Sequence, residues 1–471
     1  MHLTTWGVIM SNESALPEGQ VRTEPTGVSR GTFIKSGLGA VGGLVLGSRL
    51  GASGRAAASS GRYGEVTGPE AVYGFNVPLT GSYADEGADE LRAYQLAVKH
   101  LNEGGGMLET LQPSSLTGQG VLGKKITYVQ GDTQTDADAA RASARRMIER
   151  DGVIMFSGGS SSATAIAQQY LAQEMGVIFM NCLTHSNDTT GKDRQRYGFR
   201  HFFNAYMSGV ALGPVLGEEY GKERRAFHLT ADYTWGHTQL ESMRQSTEAQ
   251  GWTTVDNIMT PLGSTDYSQY LTQVINSDAD VLILNHYGQD MVNSLTQSVE
   301  FGMRDREVNG YALEVVVPLY SRLMAKGAGD AIEGIFGTTN WSDKLDNPGT
   351  AAFVSAFEEE YDAPPSQAAH TAYVQTLLYS DAVERAGTFA APGVIKALED
   401  HEIDGIGHNG STMYRGCDHQ AFHEILVVRG KAPSERESEY DLLETWTNVP
   451  AEDVLYDCDL FPGELGPYET A

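Results

Sequence analysis

The sequence predicts an α/β protein of two Rossmann-like lobes, each a mainly parallel sheet flanked by helices. Three observations predict it. At 471 residues the chain exceeds one ordinary hydrophobic core. From residue 71 short apolar runs alternate with segments of helical period, the pattern of βα units rather than hairpins. The alternation runs in two series of roughly 130 residues, which meet near residue 205.

The first series opens at Val72–Val77, an apolar run suited to a buried strand. Residues 88–103 place Leu91, Tyr94, Val98 and Leu101 at helical spacing, and the glycines at 104–106 end that helix. Ile126–Val129, Val153–Phe156 and Val177–Met180 read as further strands, with helices over 136–150 and 162–174 between them. Asp136 and Asp138 suit the first turn of the earlier helix, where acids meet the positive helix end. The second series carries strands at Ala226–Leu229 and Val281–Leu284 and helices near 236–249, 266–275 and 289–301. No Pro-rich or Ser-rich linker intervenes, so short crossings near 203–207 and 336–341 should join the lobes. The tail from about residue 431 is acidic and aperiodic, which predicts a surface-wrapping or partly ordered extension.

With 41% apolar and 20% charged residues the composition is that of a folded globular protein. The net charge of −28 divides unevenly: residues 1–62 carry +3, which leaves −31 on the rest. Such a body repels phosphate backbones and anionic lipid heads, and argues against a nucleic-acid or membrane-surface role. Only nine lysines follow residue 62, a surface that fits a salt-adapted protein and equally an ordinary acidic exported one. Cys182, Cys417 and Cys458 have no metal-type spacing, and at most one bridge can form among them.

Residues 1–62 read as an export signal and leader. Ser29-Arg30-Gly31-Thr32-Phe33-Ile34-Lys35 precedes a weakly apolar, Gly-rich stretch to Leu50 and a small-residue Ala56-Ala57-Ala58 patch. The run resembles a twin-arginine signal with Gly31 in place of the second arginine. It is too short and too glycine-rich for a membrane span, and it implies a periplasmic or cell-surface location. Gly37-x-Gly39-x-x-Gly42 inside it mimics a dinucleotide fingerprint without the preceding strand that motif needs.

No motif supports a reaction. His-Glu-x-x-His and Cys-x-x-Cys are both missing from the sequence. Residues 118–125 imitate a phosphate loop, but Lys125 stands where Ser or Thr would hold magnesium, and the run opens a strand. His185, His286 and His370 match no short metal motif and are expected to be satisfied polar histidines. No catalytic residue, metal or cofactor is implied, and an α/β enzyme lacks its nucleophile–base pair.

The informative segment is Phe156-Ser157-Gly158-Gly159-Ser160-Ser161-Ser162-Ala163-Thr164, which follows a strand and opens a helix. Its glycines let a ligand approach, and hydroxyls beside the amides of a positive helix end suit a carboxylate. A helix cap with spare serines is the alternative. Together with Phe75-Asn76-Val77-Pro78-Leu79-Thr80-Gly81-Ser82, Asn102-Glu103-Gly104-Gly105-Gly106, Gly123-Lys124-Lys125-Ile126 and Ala231-Asp232-Tyr233-Thr234-Trp235-Gly236, it resembles the leucine/isoleucine/valine-binding proteins. These are type I periplasmic solute receptors of ABC importers, and the resemblance spans roughly residues 71–430.

The resemblance implies two lobes around a cleft, joined by a three-crossing hinge, that deliver a small ligand to a membrane permease. The lobes would divide as 63–205 and 338–414 for the first and 206–337 and 415–430 for the second, with a tail over 431–471. Ser162 and Thr164 would hold a ligand carboxylate with backbone amides. Leu183, Thr184 and His185 would supply a carbonyl to an ammonium group and a further donor to the carboxylate. Tyr287 would line the cleft, or else be a half-buried aromatic at a strand end. Glu314 would meet the ammonium, or else be an exposed glutamate on a loop. Trp235 stands where the family often has tyrosine and His185 where a small residue is common, while Asp85 and Glu86 near the rim would repel an acidic ligand. A branched-chain or other amino acid is the expected ligand. An amide- or urea-type receptor or a sensor of the same fold is the alternative.

Overall fold

The structure, a computed structural model, describes residues 66–469. In the first lobe β1 (Glu70–Val77), β2 (Lys125–Asp132), β3 (Met155–Gly159), β4 (Ile178–Cys182) and β5 (Gly198–Arg200) form one parallel sheet in the order β2-β1-β3-β4-β5. Helices α1 (Ala84–Glu103), α2 (Ala137–Asp151) and α3 (Ser162–Met175) make the crossovers. Asp136 caps α2 by accepting the Ala139 N–H at 2.8 Å, as its position predicted, and Gly152 ends the helix in the left-handed conformation. β3 and β4 are buried along their whole length, as strands covered on both faces must be.

The second lobe runs α4 (Ala205–Glu219), β6 (Arg225–Ala231), α5 (Thr234–Ala249), β7 (Thr253–Thr260), α6 (Ser268–Ile275), β8 (Val281–Asn285) and α7 (Gln289–Glu300). A small antiparallel pair, β9 (Glu307–Val308) and β10 (Tyr311–Ala312), leads into β11 (Glu314–Leu319), α8 (Arg322–Ala328) and β12 (Phe336–Thr339). The chain then returns to the first lobe as α9 (Pro348–Tyr361), α10 (Gln367–Ala386) and α11 (Ala391–Leu398). There α10 lies along α1, with Tyr373 bonded to His100 at 2.6 Å and Ser380 to Tyr73 at 3.0 Å.

Residues 415–424 stay on the first lobe, where His419 bonds the Gly198 carbonyl at 2.9 Å, so the return expected at 415 begins at β13 (Ile425–Gly430). β13 and then β14 (Leu443–Val449) extend the second sheet antiparallel, giving β14-β13-β12-β11-β8-β6-β7. β14 is a strand where an aperiodic tail was expected. It is an edge strand with no fully buried residue, so no alternation marks it. After the short α12 (Ala451–Val454), residues 456–468 recross to the first lobe. Arg196 donates there to the Gly466 carbonyl at 3.2 Å, and Cys458 bridges to Cys417. The chain thus passes between the lobes four times rather than three.

Strand order reverses beside β1 in the first sheet and beside β6 in the second. In open α/β sheets such points leave a crevice beyond the carboxyl ends of the strands. The loops after β3, β6 and β8 therefore face one another.

Candidate functional site

The β3–α3 turn builds the first wall. Gly158 sits at φ +126°, and a Cβ there would lie 2.2 Å from the Asn76 carbonyl oxygen, so only glycine lets β1 and β3 run this close. Ser160 also takes a positive φ and donates its hydroxyl to Glu90. The Ser162 hydroxyl accepts the N–H groups of His185 at 3.3 Å and Ser186 at 3.0 Å and the Thr184 hydroxyl at 3.2 Å. Ser162 and Thr184 are thereby brought together, fixing the 183–186 loop against the N-terminus of α3. Thr164 is correctly placed on that helix, but its hydroxyl turns inward to the Gly159 and Ser161 carbonyls, so only its amide is left to face a ligand. Leu183 lies in the same loop with a positive φ.

Beneath the loop the buried Arg200 donates to the Thr184 and Ser186 carbonyls and, at 2.6 Å, to Gln420. Burial lowers its pKa only to about 10, so it remains a cation at neutral pH and adds positive potential behind the helix N-terminus. His185 contacts the Phe203 carbonyl through Nδ1 at 2.7 Å, and burial holds it neutral with a pKa of about 3. Its Nε2 then carries a lone pair and has no hydrogen-bond partner.

The second lobe supplies aromatic side chains. The Trp235 ring lies 6.2 Å from His185 and 6.3 Å from Tyr287, and Tyr287 lies 5.5 Å from Tyr83 of the first lobe. The lobes touch. Gln367 donates to the Tyr287 hydroxyl at 3.2 Å, Ser321 to Glu86 at 2.8 Å, and the Gln289 N–H to the Ser82 carbonyl at 3.0 Å. At Gly288 a Cβ would lie 2.5 Å from the Ser82 carbonyl oxygen, so glycine permits this approach. Between the walls Glu86 Oε2, Glu90 Oε2, Ser161 Oγ, Trp235 Nε1 and both amide atoms of Gln239 are buried without partners. Buried polar atoms are nearly always satisfied, so such a collection marks where a polar ligand belongs.

Glu314 is not in this group. It begins β11 in register with Val281, the first residue of β8, whereas the cleft lies beyond the far end of β8. A strand of that length separates it from Tyr287 by roughly 17 Å at 3.3 Å per residue. It sits near Arg224 and Arg304 instead, and its N–H bonds the Asp280 carbonyl at 3.0 Å. Tyr83, Glu90, Tyr233, Gln239, Ser321 and Gln367 also lie at this site, where no sequence motif singles them out. For Glu86 and Glu90 there was a signal: stepping back by four from Tyr94 on the apolar stripe of α1 reaches both.

The three histidines considered from sequence do not converge. His286 is satisfied by Thr260 and Ser294, each at 2.9 Å, while His370 bonds the Ile406 carbonyl through Nε2 at 2.7 Å and leaves Nδ1 without a partner. Another buried trio, His201, His408 and His423, brings its nitrogens within 4.8 Å. The rings of His408 and His423 stack at 4.1 Å and 5°, however, and two parallel rings cannot hold one ion in both planes.

A model of the family described as periplasmic binding protein matches residues 73–436. The chain belongs to that family. The "Leu/Ile/Val-binding protein homolog 8" of Brucella suis is 24% identical over 378 residues, covering 76% of this chain and 86% of the relative. A solute-binding protein of Rhodopseudomonas palustris in complex with 3,4-dihydroxybenzoic acid has the same fold. Its TM-score is 0.69 at 20% identity, over 82% of this chain and 98% of that one. A branched-chain amino-acid transporter binding protein of Streptococcus pneumoniae in complex with isoleucine aligns with a TM-score of 0.66 at 19% identity, over 81% and 99%. The protein is a type I periplasmic binding protein of the leucine/isoleucine/valine-binding family, a family of transporter binding proteins and not of enzymes. Membership implies an exported location. No helix among the described residues is long and apolar enough to cross a membrane, and the expected leader over 1–62 lies outside the described residues.

Proposed function

We propose that this periplasmic binding protein captures a small carboxylate-bearing ligand, most simply an amino acid, and presents it in the closed form to the permease of an ABC importer. The observation that carries the reading is the α3 N-terminus, braced by the Ser162 contacts and backed by Arg200, opening onto unpartnered polar atoms between two touching lobes. The helix end binds the carboxylate, and Trp235, Tyr287 and His185 bound the side-chain pocket. The relative in complex with isoleucine supports an amino acid, and the one in complex with dihydroxybenzoic acid supports a carboxylate-bearing ligand.

Ligand binding stabilises the closed form by its differential affinity for it. A thermal-shift screen of amino acids, amides, urea and aromatic acids, at low and high salt, tests the proposal. A ligand at 100 times its Kd stabilises by about 2.7 kcal/mol. A screen in which no small carboxylate or amide raises the melting temperature would refute it. An amide ligand is the second reading, favoured because burial raises the Glu86 and Glu90 pKa values to about 7 and 8, which lets their protonated forms donate to a carbonyl.

A further inference from the structure

Trp235 and Gln239 lie one turn apart on the buried face of α5, in the part of the helix that follows the carboxyl end of β6, where the cleft lies. Gln239 is 0%, Trp235 1% and His185 2% exposed, so bulk water does not reach them. Trp235 Nε1, His185 Nε2 and both amide atoms of Gln239 have no hydrogen-bond partner. Further along the same helix the buried hydroxyls are satisfied: Ser242 donates to the Thr238 carbonyl and Thr247 to the Met243 carbonyl, each at 2.8 Å. Among the buried residues of α5, unpartnered polar atoms are thus confined to its cleft end.

This end of α5 meets the first lobe. Thr238 donates to the Ser186 hydroxyl at 3.2 Å, the Trp235 and His185 rings lie 6.2 Å apart, and Gln239 sits beside His185 without a hydrogen bond of ordinary length to it. The Phe203 carbonyl can only accept, so the proton of the neutral His185 ring is on Nδ1 and a lone pair is on Nε2. The group therefore offers donors at Trp235 and Gln239 and acceptors at His185 and Gln239. A leucine, isoleucine or valine side chain set against these atoms would leave every one of them unpaired, at the full desolvation penalty of each. A carboxylate only accepts, and would turn an oxygen toward the His185 lone pair. An ammonium only donates, and would leave the Trp235 N–H unmatched. A carboxamide or ureido group carries both an N–H and a C=O and answers both kinds.

We infer that Trp235, Gln239 and His185 make the side-chain pocket selective for a carboxamide or ureido side chain, as in asparagine, glutamine or citrulline, over branched aliphatic ones. The inference rests on the receptor reading above and narrows its ligand to an amino acid with a polar, uncharged side chain. Selectivity of this kind is large, because a site built to bond a polar group strands its own buried atoms when an analogue lacks that group.

Probes matched in shape test it. L-asparagine is titrated beside L-leucine and L-aspartate, and L-glutamine beside L-methionine and L-glutamate, together with L-citrulline, L-isoleucine, L-valine, acetamide, urea and benzoate. The expected result is that at least one amide or ureido amino acid binds about ten-fold or more tightly than its apolar and acidic counterparts. Gln239→Leu, close in volume, should remove most of that preference while the ligand-free protein melts no lower than wild type, since the substitution takes away two unpaired buried atoms and breaks no bond. Leucine, isoleucine or valine binding as tightly as the amide amino acids would overturn the inference and leave the receptor reading standing. So would benzoate or urea binding more tightly than every amino acid, or a Gln239→Leu protein that melts lower and keeps the wild-type preference, which is how a core amide with only a structural part would behave. Where Gln239→Leu fails to fold, Trp235→Phe, which keeps an aromatic ring and removes the N–H, reads the same loss. If no probe binds, the receptor reading falls and this selectivity falls with it.

Discussion

The phenol oxygens of Tyr83 and Tyr233 lie 2.6 Å apart, one from each lobe, and form a hydrogen bond across the cleft. Burial raises both phenols well above their ordinary range, so both stay protonated and the bond is neutral. Tyr83→Phe removes it without removing a ring. The expected outcome is a Kd weakened about two- to ten-fold, the net worth of one hydrogen bond, with the loss in the dissociation rate. Calorimetry and stopped-flow release check this; an unchanged off-rate would show that the bond does not hold the cleft closed.

Ser162 and Glu314 should part company. Ser162→Ala strips three donors of their acceptor, so it should cost about 1–3 kcal/mol of stability and at least ten-fold in affinity for the best amino-acid probe. Glu314→Gln, at the opposite end of its strand, should leave affinity within two-fold of wild type. Titration of both variants with one probe settles the matter, and a large loss in Glu314→Gln would move the cleft.

Stability should peak near neutral pH. Burial keeps His185, His228, His286 and His370 neutral with pKa values of about 3, and pushes His201 and His408 well down. Unfolded histidines titrate near 6.5, so each of the six contributes stability that is present above that pH and lost below it, at about 1.4 kcal/mol per pH unit. Burial raises Glu86 to about 7, Glu90 to about 8 and Asp290 to about 7. These carboxylates act oppositely, and their contribution is lost as pH rises through those values. The six histidines outnumber the three carboxylates below 6.5. Melting temperature should therefore rise from pH 5 to about 6.5–7 and fall toward pH 9, a fall that Glu90→Gln reduces.

Reduction should loosen the tail. The Cys417–Cys458 bridge closes 41 residues, worth about 4 kcal/mol on the chain-entropy account. A reducing agent should lower the melting temperature, and Cys417→Ser should melt like the reduced protein. An unreduced wild type that melts no higher than the variant would refute this.

The lobes were legible because βα units declare themselves by period: Tyr73–Val77 and Val281–Leu284 are buried along their length, and strands of that kind are largely apolar runs. The β3–α3 turn was legible because glycines and serines between a strand and a helix have a physical meaning. Glu314 failed because the residue count along a sheet does not reveal which strand end faces the cleft. Glu90 was passed over because an acid within a helix reads as solvated surface until α10 is laid over α1. β14 was hidden because an edge strand facing water needs no apolar alternation.

The Cys417–Cys458 bridge joins two points on the first lobe, and everything between them, including β13 and β14 at one edge of the second sheet, lies within one covalent ring. A protease that nicks an exposed position such as Glu435 or Glu439 would therefore cut the chain without releasing a fragment. Outside the cell, where proteases act and disulfides persist, such a receptor can be clipped in its tail and still travel as one molecule.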